Sequence, residues 1–552
     1  MFLNKVIGID LDNTIINYNN AFKHTAVQLE FLSEDWVYNN LLSSNKFSPK
    51  TLIKHHILTL DDGNYKWESL QGQVYGNFIY YAKIFPGVAN FLIHCRRRGN
   101  RVFVVSHKTE FGHYDKNKRS LRKAALNFLK DNDLFLDSFG ITTDDILFFD
   151  TRQEKVNKIA ELNCDYFIDD LPEVFAEPNF PSDTQKILFN TSELSVDRSF
   201  SSWFKINEFF FKNIELGDIS AYVEKGTKEG VKNINNIKGR SNSRIFKIEM
   251  ESGGLYAGKL YPDPTFDDRS RLTKEIKACK FLHSNNLHNV PEVVWSDKNL
   301  NFGLYKWIDG TELKKVSIVD IRHALKFVKT LVNLSKKTSY GKFSLASAAC
   351  LSGKMIKDQI WERFQKINIV APFYRELNIF LDEELFISIE TILKFSEQNW
   401  SGDFSYNLPI ENQLLSPSDF GFHNTIKKKQ GLQYIDFEYF GWDDPVKLTC
   451  DFILHPSMDL TEEQKKLWVT DMTTIFSDDS SFKQRLNVSY SLYGLCWCLI
   501  LLNTFFGVEM DGHNTVKSQE HHITQKQQKQ LLKSKVLLMH INSTYMDGFP
   551  YG

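Results

Sequence analysis

Val6-Ile7-Gly8-Ile9-Asp10-Leu11-Asp12-Asn13-Thr14 is the stretch that decides how the N-terminal part of this chain folds. Four apolar or glycine residues run straight into two carboxylates, the pattern of a short buried strand with acidic groups at its end. Asp10 and Asp12 are two positions apart and point to the same side. The pattern recurs downstream: apolar runs at 102–105, 146–149 and 166–168 end at Ser106, Asp150 and Asp169-Asp170. Helical signals separate these runs. Pro86-Gly87 opens a helix over 88–98 that stops at Gly99, Ser120 opens one that runs to 131, and Thr151-Arg152-Gln153-Glu154 reads as a capping box opening a helix to about 162. Strands alternating with helices predict βαβ units and a parallel sheet, whose ligands bind beyond the C-terminal strand ends. Residues 19–84 read as helices with a loop near Asp61-Asp62-Gly63, and Asp150 as a helix cap.

Bulk properties exclude several classes. With 67 Lys+Arg against 68 Asp+Glu, the net charge is -1, so no basic excess points to nucleic acid or an anionic membrane. The 552 residues suggest about three or four folding units. The 28 Gly and 14 Pro are too few for a long disordered or fibrous region. The 7 Cys are scattered and read as reduced, buried thiols rather than a disulfide framework or zinc site. No secretory signal is read at the N-terminus, and a cytoplasmic location is expected. The apolar stretch 493–506 contains Gly494 and Asn503 and reads as a buried core helix, so no membrane insertion is expected.

The strand-end residues of the first part make a chemical set. A carboxylate can take a phosphoryl group as an aspartyl phosphate. A second carboxylate on the same side can protonate the leaving oxygen. Mg²⁺ takes oxygen ligands and offsets repulsion between Asp10 and an anionic ester. A hydroxyl and a lysine can hold the phosphoryl oxygens. The ordered set of Asp10-Leu11-Asp12-Asn13-Thr14, Ser106, Lys155 and Asp169-Asp170 resembles the haloacid dehalogenase-like phosphohydrolases over about the first 195 residues. The resemblance implies a Rossmann-like α/β domain with a helical cap at 19–84. It implies Asp10 as nucleophile, Asp12 as acid/base and metal ligand through its carbonyl, Ser106 and Lys155 as catalytic phosphoryl holders, and Asp10, Asp169 and Asp170 as Mg²⁺ ligands. Lys158 lies on the same helix face and rivals Lys155.

The pattern changes after about residue 195. Residues 200–235 read as a connecting helical or loop segment, and 245–250 with 255–261 as a hairpin turning at Ser252-Gly253-Gly254. A helix over 270–284 and strands at 292–295 and 302–306 follow. From 318 helical periodicity dominates, interrupted by a strand–turn–strand over 424–437 whose Lys427-Lys428-Lys429 turn reads as solvated. This part resembles the aminoglycoside phosphotransferase and choline kinase-like branch of the protein-kinase fold over about 235–510. The resemblance rests on the loop Lys238-Gly239-Arg240-Ser241-Asn242-Ser243-Arg244, on Tyr256-Ala257-Gly258-Lys259-Leu260, on Tyr305-Lys306-Trp307, on Ser416 to Asn424 and on Ile435-Asp436-Phe437-Glu438.

That resemblance implies an α+β kinase-like domain with a β-rich small lobe and a helical large lobe. ATP would be held by Ser241, Asn242, Ser243 and Lys259, with Glu275 paired to Lys259 and Tyr305 and Trp307 at the adenine. Asp419 would be the catalytic base, and Asn424 and Asp436 the Mg²⁺ ligands. Where the family has His-Gly before that aspartate, this chain has Pro417-Ser418, which implies altered rate or geometry. Glu438 and Asp444 read as solvated or structural carboxylates, with help to the metal or substrate as the alternative.

The expected organisation is a phosphatase at 1–195, a connector at 196–235, a kinase small lobe at 236–310 and a large lobe with C-terminal helices at 311–552. The expected function is bifunctional. ATP-dependent phosphorylation of a sugar, polyol or similar hydroxylated metabolite would be joined to hydrolysis of a phosphate monoester, as in preparing a sugar 1-phosphate for surface-polysaccharide precursors. A detoxifying kinase for an aminocyclitol or amino alcohol is one alternative, and it predicts an acidic acceptor pocket. A nucleotide-binding regulatory protein with an inactive kinase half is another. The sequence leaves the oligomeric state open. Glu520-His521-His522 reads as part of a polar surface helix.

Overall fold

The computed structural model describes residues 4–41, 48–114, 118–189, 198–211, 216–237, 243–262, 269–507 and 523–551. The chain forms two compact units: Met1–Asp268 with Val294–Trp307, and Arg269–Val293 with Ile308–Gly552.

The first unit is built on a six-stranded sheet of β1 (Val6–Ile9), β2 (Arg101–His107), β3 (Ile146–Phe149), β4 (Tyr166–Asp169), β5 (Gln185–Phe189) and β6 (Ser199–Phe200). The strand order is β3-β2-β1-β4-β5-β6 and every pairing is parallel. Apolar residues pack on both faces, as a parallel sheet covered by crossover helices requires. Val102 and Val104 join the larger core with Ile7 and Ile9, while Phe103 and Val105 pack on the other side with Val156, Ile159 and Phe167. Each such side chain contributes roughly 1.5–3 kcal/mol by leaving water. Gly8 is demanded by close approach, because a Cβ there would stand 2.4 Å from Cδ2 of the buried Phe167 ring. The helix Val88–Arg97 ends with Arg96 and Arg97 in its last turn, where cations meet the negative end of the dipole. Four helices, Asn19–Gln28, Glu34–Leu41, Pro49–Leu58 and Gly63–Tyr75, lie between β1 and β2 in sequence.

β5 and β6 lie beyond the strands read from the sequence, and residues 200–235, read as a connecting helical or loop segment, are largely helical in their described part. They form the helices Trp203–Phe211 and Leu216–Thr227, followed by β7 (Val231–Ile237). Trp203 is 1% exposed and its indole donates to the Thr14 carbonyl at 2.7 Å. The aromatic run that looked like a linker is therefore core, because its apolar face covers the helix Val88–Arg97 through Phe91. A five-stranded antiparallel sheet completes the unit, with β8 (Arg244–Met250), β9 (Leu255–Leu260), β10 (Val293–Asp297) and β11 (Phe302–Lys306) in the order β10-β11-β9-β8-β7. A fully buried polar cluster ties its parts together. His94 Nδ1 meets Asn207 Oδ1 at 3.0 Å, Tyr222 OH meets His94 Nε2 at 3.2 Å, and Asn90 Nδ2 donates to Tyr222 OH at 2.7 Å.

The second unit is mainly helical. Arg271–Ser284, Ile318–Ser335, Gly353–Val370, Phe386–Asn399, Pro445–Leu454, Glu462–Ile475, Phe482–Leu501 and Gln525–Thr544 are its longer helices. Phe482–Phe506 is long and apolar enough to cross a membrane, and 83% of its most apolar window is buried inside the fold. Its Gly494 lets Ile541 approach, since a Cβ would stand 2.4 Å from Ile541 Cδ1. The strand–turn–strand appears as β12 (Thr425–Lys428) and β13 (Gly431–Tyr434). All seven cysteines are buried thiols. Lys427 is not merely solvated: its Nζ lies 3.0 Å from the buried carboxylate of Asp320. Residues 520–522 lie outside the described residues.

Candidate active sites

In the first unit the strand order reverses between β1 and β4, which leaves a crevice beyond their C-terminal ends. Ile9 stands opposite Ile168, and the Asp10 amide donates to the Ile168 carbonyl at 2.8 Å. The two strands therefore deliver Asp10 and Asp169 to one place. Asn13 then takes a left-handed φ of 61°, which asparagine tolerates, and its amide closes a turn onto Ile16 O at 2.8 Å.

The lysine comes from the helix Arg152–Glu161. Its capping box forms as the sequence suggested, with Glu154 N donating to Thr151 Oγ1 at 3.2 Å and Thr151 N to Glu154 Oε2 at 3.1 Å. Thr151, not Asp150, is thus the cap. The Asp150 carboxylate takes a hydrogen bond from Arg122 Nη2 at 2.7 Å. The cap sets the first turn so that Lys155 points inward, 1% exposed, with Nζ 2.6 Å from Asp10 Oδ1 and 2.6 Å from Asp169 Oδ2. Lys158 turns away to Glu161 at 2.6 Å. Ser106 Oγ and Thr14 Oγ1 are buried in the same unit and have no hydrogen-bond partner among the described residues.

Carboxylate oxygens of Asp10, Asp169 and Asp170 lie within 4.8 Å of one another. Burial pushes the Asp10 carboxyl up to about 7, and Asp169 and Asp12 add to this against the pull of Lys155. Asp170 is raised well above the carboxylate range by burial, with Asp10 and Asp169 adding. Burial works against the Lys155 ammonium, but Asp10 and Asp169 outweigh it and hold its pKa above the ordinary value. Three hard oxygen donors crowded around one cation suit Mg²⁺. The Asp12 carboxylate is not part of that cluster. Tyr18 OH donates to its Oδ1 at 2.8 Å and Lys108 Nζ to its Oδ2 at 2.6 Å. Sequence reading missed both partners. Lys108 stands two positions beyond Ser106, so strand alternation alone would have placed it on the side of the site.

In the second unit the hairpin of β12 and β13 brings the downstream motif together. Ile435 N donates to Asn424 O at 2.9 Å, so Asp436 follows directly beside Asn424. The Asn424 amide group donates to the Asp419 carbonyl at 3.0 Å and to Oδ2 at 3.3 Å. Phe420, beside Asp419, packs against Phe327 and Tyr434 and so anchors the loop. Ser418 has a φ of 67°, a left-handed conformation that glycine adopts without strain. Its Oγ donates to Ser347 O at 3.2 Å. His423 was not singled out from the sequence, yet its Nε2 lies 2.9 Å from Asp419 Oδ1. The ring of His455 stacks on it, with centroids 3.8 Å apart. Burial raises the Asp419 carboxyl, but the hydrogen bond and charge of His423 outweigh it and leave the pKa below the usual value. A cavity of about 320 Å³ opens here, with Asp419, Ser418, His455, Trp497, Lys447 and Arg363 in its walls.

Glu275, Asp436 and Glu438 form a second oxygen cluster within 4.8 Å. Glu275 Oε1 accepts the Phe437 amide at 3.3 Å, and Arg271 pairs with Glu438. Glu438 is therefore a buried partner at the site and not a solvated carboxylate, whereas Asp444 is structural, capping the helix Pro445–Leu454 and holding Arg485 at 3.1 Å.

Lys259 lies in the five-stranded sheet, 7% exposed, between Ile245 and Gly303, with its ammonium 4.8 Å from the Tyr261 ring centre. Tyr305 turns its hydroxyl to that of Tyr261 at 2.6 Å, and the Trp307 amide donates to Leu255 O at 3.1 Å. The Tyr305 side chain is buried, and the Trp307 N–H continues the ladder. Ser243 Oγ is buried without a hydrogen-bond partner among the described residues, while Ser241 and Asn242 lie outside them.

No protein-family model and no curated protein matches the chain. Solved structures do. An ADP-bound aminoglycoside phosphotransferase, APH(2'')-Ib, is 17% identical, covering 60% of this chain and 99% of its own, with a TM-score of 0.39. An ethanolamine kinase of Plasmodium vivax is 15% identical, covering 61% and 92%, with a TM-score of 0.40. The choline kinase LicA from Streptococcus pneumoniae is 12% identical, covering 58% and 98%, with a TM-score of 0.38. Likenesses of this size identify neither a substrate nor an activity.

Proposed function

We propose that the chain is a bifunctional phosphotransfer enzyme, a phosphomonoesterase in its N-terminal part and an ATP-dependent kinase for a hydroxyl of a small sugar, polyol or related phosphate in its C-terminal part. The bounds 1–195, 236–310 and 311–552 belong to this reading, with the helices after 195 packed onto the hydrolase. The observation that carries the first half is the Lys155 ammonium, held 2.6 Å from both Asp10 and Asp169 at the reversal point of a parallel sheet. The second half rests on Asp419, Asn424 and Asp436 gathered by one loop and hairpin.

In the hydrolase, an Asp10 oxygen bonds to phosphorus as the bond to the leaving oxygen breaks, and Asp12 gives that oxygen its proton. Water then cleaves the aspartyl phosphate, with Asp12 taking the water proton. Tyr18 and Lys108 orient Asp12 for both transfers. Ser106 and Lys155 bind phosphoryl oxygens. Asp10, Asp169 and Asp170 would hold a Mg²⁺ ion, which supplies positive charge against the transferred group.

In the kinase, Asp419 accepts the acceptor hydroxyl proton, the hydroxyl oxygen bonds to the γ-phosphorus, and the bond to ADP breaks. Lys259 binds ATP phosphates, and Asn424 and Asp436, with Glu438 beside Asp436, would hold Mg²⁺. His423 holds Asp419 in place of the histidine absent before it.

The test is incubation with ATP, Mg²⁺ and a panel of sugars, polyols and their phosphates, following ADP and free phosphate. Asp419→Asn abolishes ADP formation alone and Asp10→Asn phosphate release alone. Loss of ADP formation in Asp10→Asn would refute the two-site reading.

A further inference from the structure

We propose that the acceptor of the candidate kinase carries an anionic group, a carboxylate or phosphate, and that Arg363 recognises it; this rests on the kinase reading of Asp419. The cavity beside Asp419 is walled by three cations, Arg269, Arg363 and Lys447, and by two carboxylates, Asp419 and Asp451. Lys447 is already matched, with Nζ 2.6 Å from Asp451 and 4.0 Å from Asp443, and Asp451 also accepts from Trp497 Nε1 at 2.9 Å. Asp419 is engaged by His423 and Asn424. His455 is held neutral, because burial and the neighbouring His423 lower its pKa to about 4.

Arg363 is different. Its Nε is buried with no hydrogen-bond partner, and no carboxylate pairs with it among the described residues. A buried guanidinium donor left unpaired is costly; Arg363 stands in the cavity wall, and a planar guanidinium matches the two oxygens of a carboxylate or phosphate. An acceptor bound with its anion at Arg363 keeps a hydroxyl free to meet Asp419 in the same cavity. The aminocyclitol and amino-alcohol alternative needs acidic walls, and these walls present an unmatched cation instead.

The test uses the purified full chain and calorimetric titration with D-glucuronate, D-glucose, D-glucosamine and inorganic phosphate. Wild type is expected to bind glucuronate about tenfold or more tighter than glucose or glucosamine, and Arg363→Gln to erase that margin. Arg363→Lys keeps the charge but loses the fork, and is expected to fall between. If Arg363→Gln does not fold, Arg363→Lys decides by the same margin.

Glucosamine binding tightest, an unchanged margin in the variants, or no Arg363-dependent binding of glucuronate or phosphate would each overturn the proposal. ADP release measured on the same samples separates the two readings. Arg363-dependent anion binding without phosphotransfer to any acceptor sinks the kinase reading and spares the anion site. Phosphotransfer that ignores Arg363 does the reverse.

Discussion

Lys155→Met tests the first site most directly. The substitution keeps the length of the side chain and removes one charge from between two carboxylates. In the structure that charge is 1% exposed and lies 2.6 Å from oxygens of Asp10 and Asp169, with Asp170 in the same cluster. Removing one member of a buried ion pair strands its partners, at a cost of about 3–5 kcal/mol. A cation that binds only the folded state at a hundred times its dissociation constant restores about 2.7 kcal/mol.

The expected result is therefore a loss of about 3–5 kcal/mol in EDTA, most of it recovered in saturating Mg²⁺, while Mg²⁺ shifts wild type less. Lys158→Met is the internal control. Its exposed pair with Glu161 is worth about 0.2–1 kcal/mol at most. The assay is urea unfolding followed by circular dichroism, in EDTA and in Mg²⁺, with hydrolysis of p-nitrophenyl phosphate measured on the same samples. Equal midpoints for Lys155→Met and Lys158→Met in EDTA would refute the placement of the ammonium between the two carboxylates.

Other expectations concern separate parts of the chain. His94 is buried, and burial lowers its pKa from 6.5 to about 4, with Arg98 and Arg97 adding against Asp218. The stability it contributes is present above pH 6.5 and is lost as the pH falls toward 4, about 2 kcal/mol at pH 5. His94→Gln is expected to show a correspondingly smaller loss between pH 7.5 and pH 5 in urea titrations. Lys108→Met frees the Asp12 carboxylate from a 2.6 Å contact and should lower kcat for p-nitrophenyl phosphate by roughly ten- to a hundredfold; the lysine side chain is 2% exposed, so the folding midpoint is expected to fall as well. An unchanged kcat would remove Lys108 from the site. Gly8→Ala places a methyl group 2.4 Å from the Phe167 ring and should destabilise the first unit by about 1–3 kcal/mol, read from its unfolding midpoint. Ser418→Gly relieves a left-handed φ of 67° but gives up a hydrogen bond to Ser347, so a shift within about 1 kcal/mol is expected, and a change in ADP formation would show that the loop geometry limits the rate.

What one dimension could settle was local. The strand ending at Asp10, the capping box at Thr151 and the hairpin around Gly253 each follow from residues a few positions apart, whose period and turn chemistry are written in order along the chain. The choice between Lys155 and Lys158 was not local, since both lie on one helix face, and only the packing of that helix against the sheet turned one to Asp10 and the other to Glu161. The same holds for Trp203, whose neighbours read as a linker until Thr14 and Phe91, more than a hundred residues earlier, became its partners. The unmatched Arg363 emerged the same way, whereas His423 stands only four positions from Asp419. A side chain's partner depends on which distant segments share its desolvated space, and spacing along the chain carries no record of that.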